Sequence, residues 1–488
     1  MQIDFIAILP EIVLTVTALL VLAADLVLRG DAKQLVNPLA ALGTVGAMVA
    51  TVAIWGQERT TFGTMFVVDS FALLFKMLFL GTLLAILAIS WRYVAENRFF
   101  QGEYYFLLLT SFIGMLLMPS ARDLLLLFVA LETVSIPAFV MVGMRKRDLY
   151  SSESALKFFL IGVLSVALML FGMSMIYGFT GTTDLNGIAA ELAGETASVP
   201  LLLGSVMLVI VGFGFKISAV PFHFWAPDTY AGAPMPVAAM LAVASKAAGF
   251  AGLIVVVFIA FEPVADVWGP MLGVLAIITM TLGNLLALQQ RDLIRLLAYS
   301  SVAQAGYILI PFGLARTGSD VVNAAAIEAA LFYLIAYAVM NVGAFGVAIA
   351  VERRTGLRSI ADYAGLSSRG PLLAMGMTVF LFSLGGAPLT VGLWAKVAII
   401  EAIAVDITLF GVILAVFLVL NSVIGFFYYL RVVRTIWMDA APAGLPRLQP
   451  GFNLSAVVVV LMIGTVLLGV LPGLVSNLSS TISLVAAG

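Results

Sequence analysis

Five lysines, Lys76, Lys157, Lys216, Lys246 and Lys396, lie inside long apolar runs. An ammonium at the centre of a bilayer costs from about 3 to well over 10 kcal/mol, so a lysine kept there marks a candidate site for moving protons or ions. Lys216 precedes Asp228 by roughly a dozen residues, about 18 Å of helical rise. Glu132 is the carboxylate at comparable depth, about 14 Å inside its run counted from Asp123. Alone in hydrocarbon it would be neutral; beside a lysine it can stay ionised, and a purely structural Glu–Lys pair is the rival reading. Lys246 stands among small residues, Ala244-Ser245-Lys246-Ala247-Ala248-Gly249, which permit close helix approach or a hydrated cavity. Lys396 follows Trp394 by two residues near mid-span. Lys157 follows Glu153 by four, so a snorkelling ion pair and a proton-uptake point both fit. Lys76, two turns from Asp69, reads as structural. His223, the single histidine, follows Lys216 by seven residues, and its near-neutral titration makes it a relay candidate against the alternative of an ordinary hydrogen-bonded imidazole.

These residues need a membrane scaffold to position them. Of 488 residues 63% are hydrophobic and only 10% charged, far from the composition of soluble domains. Apolar runs near the ~20 residues that cross hydrocarbon recur along the chain. Hydropathy and helix breakers predict an all-α polytopic membrane protein with about fourteen transmembrane helices. No alternating-strand pattern suggests a β-barrel. Met1–Asp4 carry no positive charge, so the first span is expected to stay as a helix rather than act as a cleaved signal.

Two runs look broken. The run 199–226 carries Pro221 soon after Lys216, and the run 371–404 carries Leu384-Gly385-Gly386-Ala387-Pro388 before Lys396. Proline removes a backbone donor, and interrupted helices at membrane depth occur where backbone lines a cavity or site. Their spacing of about five spans suggests two inverted five-helix repeats, helices 4–8 and 9–13, each with a broken helix. The expected organisation is an N-terminal three-helix segment (1–103), a first repeat (104–261), a second repeat (262–437), and helix 14 with a tail (438–488). Placing both termini outside gives the cytoplasmic loops Arg29, Lys33, Arg92, Arg98, Arg145-Lys146-Arg147, Arg291, Arg295, Arg353-Arg354, Arg358, Arg369, Arg431, Arg434 and Arg447. The outer loops keep only Arg59, Arg122 and Arg316.

Composition also excludes functions. Without cysteine there is no disulfide, no cysteine-ligated iron–sulfur cluster and no thiolate nucleophile. One histidine cannot supply bis-histidine haem ligation. No redox centre is therefore expected in this chain, and redox energy would have to come from a partner. A net charge of −2 with scattered basic residues gives no sign of nucleic-acid binding.

The run Phe215-Lys216-Ile217-Ser218-Ala219-Val220-Pro221-Phe222-His223-Phe224-Trp225-Ala226-Pro227-Asp228, with Gly232-Ala233-Pro234-Met235-Pro236 and Ser245-Lys246-Ala247 beyond it, resembles the broken seventh helix region of the antiporter-like membrane subunits of respiratory complex I. Asp292-Leu293-Ile294-Arg295-Leu296-Leu297-Ala298-Tyr299-Ser300-Ser301 resembles a second motif of that family, with Ile294 where lysine is common. The Phe-His-Phe-Trp-Ala-Pro-Asp run and Lys396 are similar to the N type of the bacterial enzyme; the M type has glutamate at the latter position, and the L type a long C-terminal lateral helix. The resemblance implies a proton-translocating subunit of NADH:quinone oxidoreductase, in which Glu132 partners Lys216, Lys246 is the central relay, Lys396 faces the outer exit, Lys157 helps on the cytoplasmic side and His223 links Lys216 to Lys246. It implies a hetero-oligomer in a bacterial inner membrane with periplasmic termini. Its partners would include the antiporter-like M subunit and small membrane subunits such as K, and the partner subunits would hold NAD, FMN, iron–sulfur clusters and quinone. The alternatives are a subunit of a multisubunit cation/proton antiporter, a subunit of a membrane-bound hydrogenase-type complex, or a scaffold whose lysines merely pair. A direct sodium site would want clustered oxygen ligands, so the lysines favour protons.

Overall fold

The computed structural model describes residues 3–96, 101–194, 200–441, 447–480 and 484. Met1, Gln2 and Arg98, the last expected in a cytoplasmic loop, lie outside the described residues. Three helices come first, α1 (Leu9–Val27), α2 (Val36–Ala53) and α3 (Ser70–Glu96), with a hairpin of β1 (Arg59–Thr61) and β2 (Phe66–Val68) between the last two. A first block holds α4 (Gln101–Leu117), α5 (Leu124–Val142), α6 (Leu149–Thr180), the short α7 (Leu185–Leu192), then α8 (Pro200–Lys216) and α9 (Trp225–Gly232). It closes with α10 (Met235–Met240) and α11 (Lys246–Val255), joined by a π-helical turn, Leu241–Ser245, into one rod. A second block holds α12 (Ala265–Leu288), α13 (Leu293–Leu309), α14 (Asp320–Thr355), the short α15 (Leu366–Arg369), α16 (Pro371–Gly385), α17 (Val391–Val405) and α18 (Leu409–Met438). The last helices are α19 (Phe452–Val470) and α20 (Gly473–Ser480).

Among the described residues, twelve helical segments are long and apolar enough to cross a membrane. The pairs α8/α9 and α16/α17 occupy the places of the seventh and twelfth expected spans. Both breaks occur where expected, and the first broken helix resumes further along than expected, its second half reaching Gly232. The blocks share an element order of two spans, one overlong helix, one broken helix and one closing helix. The overlong helices α6 and α14 both stop at a glycine in the left-handed region, Gly181 (φ 69°) and Gly356 (φ 69°), which turns the chain sharply without steric cost. Helix starts are fixed by side-chain caps: Asp123, Asp148 and Asp292 each accept a backbone N–H of the first turn.

Burial sorts the spans. The rod 235–260, α13 and α14 are buried over about nine-tenths of their apolar windows, whereas α18 and α19 present most of theirs outward. Interior helices that are apolar all round pack at close range: a Cβ on Gly306 of α13 would sit 2.4 Å from the backbone of Met280 in α12.

Several details depart from the sequence reading. Arg122, assigned to an outer loop, is fully buried and pairs with Asp69 at 2.6 Å. Glu11, near the start of the first span, is buried and pairs with Lys76 at 2.8 Å. Trp225 and Trp268, near span ends where tryptophans commonly face the membrane interface, are buried and donate to Phe215 O and Phe261 O. In each case a polar group next to an apolar run finds an internal partner that sequence spacing does not reveal.

Candidate functional site

Lys216 is the last residue of α8, where the helix gives way at Ser218 (φ 60°) and Val220-Pro221. It is 3% exposed, and its Nζ donates to Ser135 Oγ at 3.0 Å. Ser135 lies on α5 one turn beyond Glu132 and donates in turn to Leu131 O. Glu132 is half-buried and within electrostatic reach of Lys216, but no contact ion pair joins them among the described residues. The expected Glu132–Lys216 partnership is thus one of proximity, with Ser135 in the contact position. Lys216 also touches the next rod: a Cβ on Gly249 of α11 would fall 2.9 Å from Lys216 Cγ, so the small-residue stretch around Lys246 permits this approach.

Lys246 opens α11 directly after the π-turn. Such turns are often found at functional positions, because the widened helix re-aims a side chain. Its buried Nζ donates to Ser301 O at 2.6 Å and Ser301 Oγ at 2.5 Å. Tyr337 OH donates to the same Oγ at 2.9 Å, and Asn341 Nδ2 donates to Tyr337 OH at 2.9 Å.

Lys396, on α17 beyond the second break, is 7% exposed, and its Nζ donates to Gly385 O at 2.8 Å. That carbonyl ends α16, where Gly386 takes φ 89° and the last carbonyls of the half-helix have lost their intrahelical partners. The ammonium therefore meets the negative end of a helix dipole. Tyr307 presents its ring to the same Nζ, 5.1 Å from the centroid.

Further polar side chains run between these last two lysines. Ser300 shares a 2.5 Å hydrogen bond with Tyr429. Gln304 Nε2 donates to Tyr429 OH at 3.3 Å and to Leu384 O at 3.2 Å, and its Oε1 accepts from Tyr333 OH at 2.5 Å. All are buried. The available signal was Ser300, Ser301 and Gln304 at i, i+1 and i+4 of an apolar span, one polar stripe on α13.

The remaining candidates separate from this group. His223 is buried in the connection after the first break, against the Phe224 ring, and no hydrogen bond among the described residues joins it to Lys216 or Lys246. Lys157 is exposed and pairs with Glu153 at 2.8 Å and Asp228 at 2.9 Å. Arg295 of α13 holds the other oxygen of Asp228 at 2.7 Å, so the half-helix α9 is clamped between α6 and α13. Lys76, paired with Glu11, lies in the N-terminal three-helix segment. No group of three or more histidine, aspartate or glutamate residues suited to a metal occurs among the described residues.

Residues 121–425 match a family described as NADH:quinone oxidoreductase/Mrp antiporter, TM. The chain is 43% identical to NADH-quinone oxidoreductase subunit N 2 of Streptomyces griseus over 91% of its length and 84% of that protein. Among solved structures it is similar to a chain of respiratory complex I from Thermus thermophilus, with 30% identity, a TM-score of 0.78, and coverage of 98% of this chain and 100% of that one. A chain of an Mrp complex from a Dietzia species has a TM-score of 0.82 at 20% identity, covering 98% and 96%, and shares the fold.

Proposed function

Because the chain belongs to the NADH:quinone oxidoreductase/Mrp antiporter family, on its NADH-quinone oxidoreductase subunit N branch, we propose that it translocates protons for a redox-driven complex. The observation that carries this reading is the setting of Lys216, Lys246 and Lys396. Each is buried, each stands at or beside a helix irregularity, and each is held by hydroxyl or carbonyl oxygen, with no carboxylate in contact among the described residues. A structural ammonium in this medium would need a contact counter-ion, as Lys76 has in Glu11. An amine held by neutral acceptors can gain or lose a proton without breaking an ion pair.

Protons load from the cytoplasmic end, pass Lys216 and Lys246, and leave from Lys396 toward the outer face. Bringing Glu132 onto Lys216 favours its charged form, and withdrawing Glu132 favours release to the next site. Moving one proton outward against ~150 mV costs about 3.5 kcal/mol, the order of one lost ion pair plus desolvation. The switch therefore needs an external drive, which partner subunits supply through NAD, FMN, iron–sulfur clusters and quinone. The M subunit and a small subunit such as K are the expected neighbours in a bacterial inner membrane, with both termini periplasmic. Residues 104–261 and 262–437 act as two five-helix units, and His223 and Lys157 serve as secondary groups at the break and the cytoplasmic end.

Mild extraction of the tagged chain tests the assignment. A large particle with NADH:quinone reductase activity and flavin and iron–sulfur signals is expected. A colourless particle that only exchanges cations for protons in vesicles would replace this reading with an antiporter.

A further inference from the structure

Lys246 and Lys396 stand on either side of one buried carboxamide. On the Lys246 side, Ser301 and Ser300 follow one another on α13, and Ser300 meets Tyr429. On the Lys396 side, the end of α16 offers Leu384 O and Gly385 O in succession, and Lys396 takes the second. Gln304 bridges the two sides, donating to both Tyr429 OH and Leu384 O, while Tyr333 OH fixes its oxygen. Gln304 is 1% exposed, and both donors and one acceptor site of its amide are engaged.

We propose that Gln304 is a positioning residue that gates proton passage between Lys246 and Lys396, an amide that holds the hydroxyls and the broken helix end together without itself carrying a proton. Hydroxyls and amines exchange protons along a hydrogen-bonded chain; a carboxamide has only tightly held N–H protons and a weakly basic oxygen. The Ser300–Tyr429 pair lies beside the Lys246–Ser301 contact on α13, and Gln304 is the group that bonds both Tyr429 and the end of α16. A leucine would insulate equally but would strand Leu384 O, Tyr333 OH and one acceptor site of Tyr429 in the core. A glutamate would satisfy similar partners but would exchange protons. The amide does the first and avoids the second. Passage then requires Gln304 to release Tyr429 or Leu384, a movement tied to α16, whose last carbonyl holds Lys396. The membrane potential drives protons inward, so a relay with no such break would leak.

This inference rests on the proton-translocating reading above. The test uses the whole complex in inverted membrane vesicles, carrying Gln304→Glu or, separately, Tyr333→Phe, which frees the amide oxygen. A pH gradient is built by ATP hydrolysis, and its decay is followed with an acridine dye after ATP synthesis and hydrolysis are blocked. Because a carboxyl can take and give a proton where an amide cannot, Gln304→Glu is expected to speed decay roughly threefold or more. NADH oxidation should persist and lose its stimulation by uncoupler. Tyr333→Phe should leak to a smaller extent, and it carries the test if Gln304→Glu fails to assemble. A tight vesicle with parental uncoupler response in the assembled variants would overturn the gate. Lys246→Ala and Lys396→Ala separate the two levels: loss of pumping there with tight Gln304→Glu vesicles defeats the gate alone, whereas parental pumping in both lysine variants defeats the reading beneath it.

Discussion

Lys216 donates to Ser135 Oγ at 3.0 Å and not to Glu132, which stands one turn away on the same face of α5. The lysine is therefore parked on a neutral acceptor with its carboxylate nearby but out of contact. In the proposed mechanism, exchanging the Ser135 hydroxyl for the Glu132 carboxylate is the step by which a change at the break after α8 would alter the lysine's charge.

Removing the hydroxyl should bias that exchange. Ser135→Ala leaves Glu132 as the nearest polar partner, so the charged form of Lys216 is stabilised by a net of about 1 kcal/mol. The expected result is a several-fold fall in coupled turnover with normal assembly, and partial recovery in Ser135→Thr. Turnover at the parental level in Ser135→Ala would leave Ser135 without a role in the site.

Ser301 should matter more than its neighbour Tyr337. Ser301→Ala deletes the shorter of the two side-chain and backbone contacts to Lys246, and hydrogen bonds to charged groups are worth about 1.5–3 kcal/mol. A fall of about tenfold in NADH-driven proton uptake is expected from that range. Tyr337→Phe keeps both Lys246 contacts and should cost less. The reverse ranking would shift the site's centre from Ser301 to Tyr337.

Lys157 should be dispensable and Asp228 should not. Arg295 holds one oxygen of Asp228 and Lys157 the other. Partly exposed pairs contribute about 0–1 kcal/mol each, so Lys157→Ala is expected to reduce activity by less than about fivefold. Asp228→Ala removes both carboxylate ties of α9, to Lys157 on α6 and Arg295 on α13, and should lower thermal stability and activity together. Abolished pumping in an assembled Lys157→Ala complex would return Lys157 to the relay.

Glu11–Lys76 is expected to be structural. Deleting one partner of a buried pair typically costs about 3–5 kcal/mol, whereas replacing both by apolar residues is often neutral. Lys76→Met should impair assembly, and Lys76→Met with Glu11→Leu should restore it, with pumping per assembled complex unchanged. Failure of the double variant to pump once assembled would assign Lys76 a transport role.

Much of this architecture was legible in the sequence because membranes impose strict rules. Apolar length fixes the spans, proline and paired glycines fix the breaks at Pro221 and Gly385-Gly386, and depth singles out Lys216, Lys246 and Lys396. Less legible was anything set by which helix faces which. Ser135, Ser301 and Gln304 are ordinary polar residues in apolar runs until packing places them against a lysine or a broken end. The pairing of Lys157 with Asp228 and of Arg122 with Asp69 joins residues more than fifty positions apart, beyond the reach of periodicity. The π-turn before Lys246 has no proline or glycine to announce it.

The most direct measurement is proton uptake by inverted vesicles carrying an assembled Lys216→Ala complex, driven by NADH and normalised to complex content. Severe loss of uptake is expected, with the redox centres still reduced by NADH. Parental uptake in that well-assembled variant would contradict it.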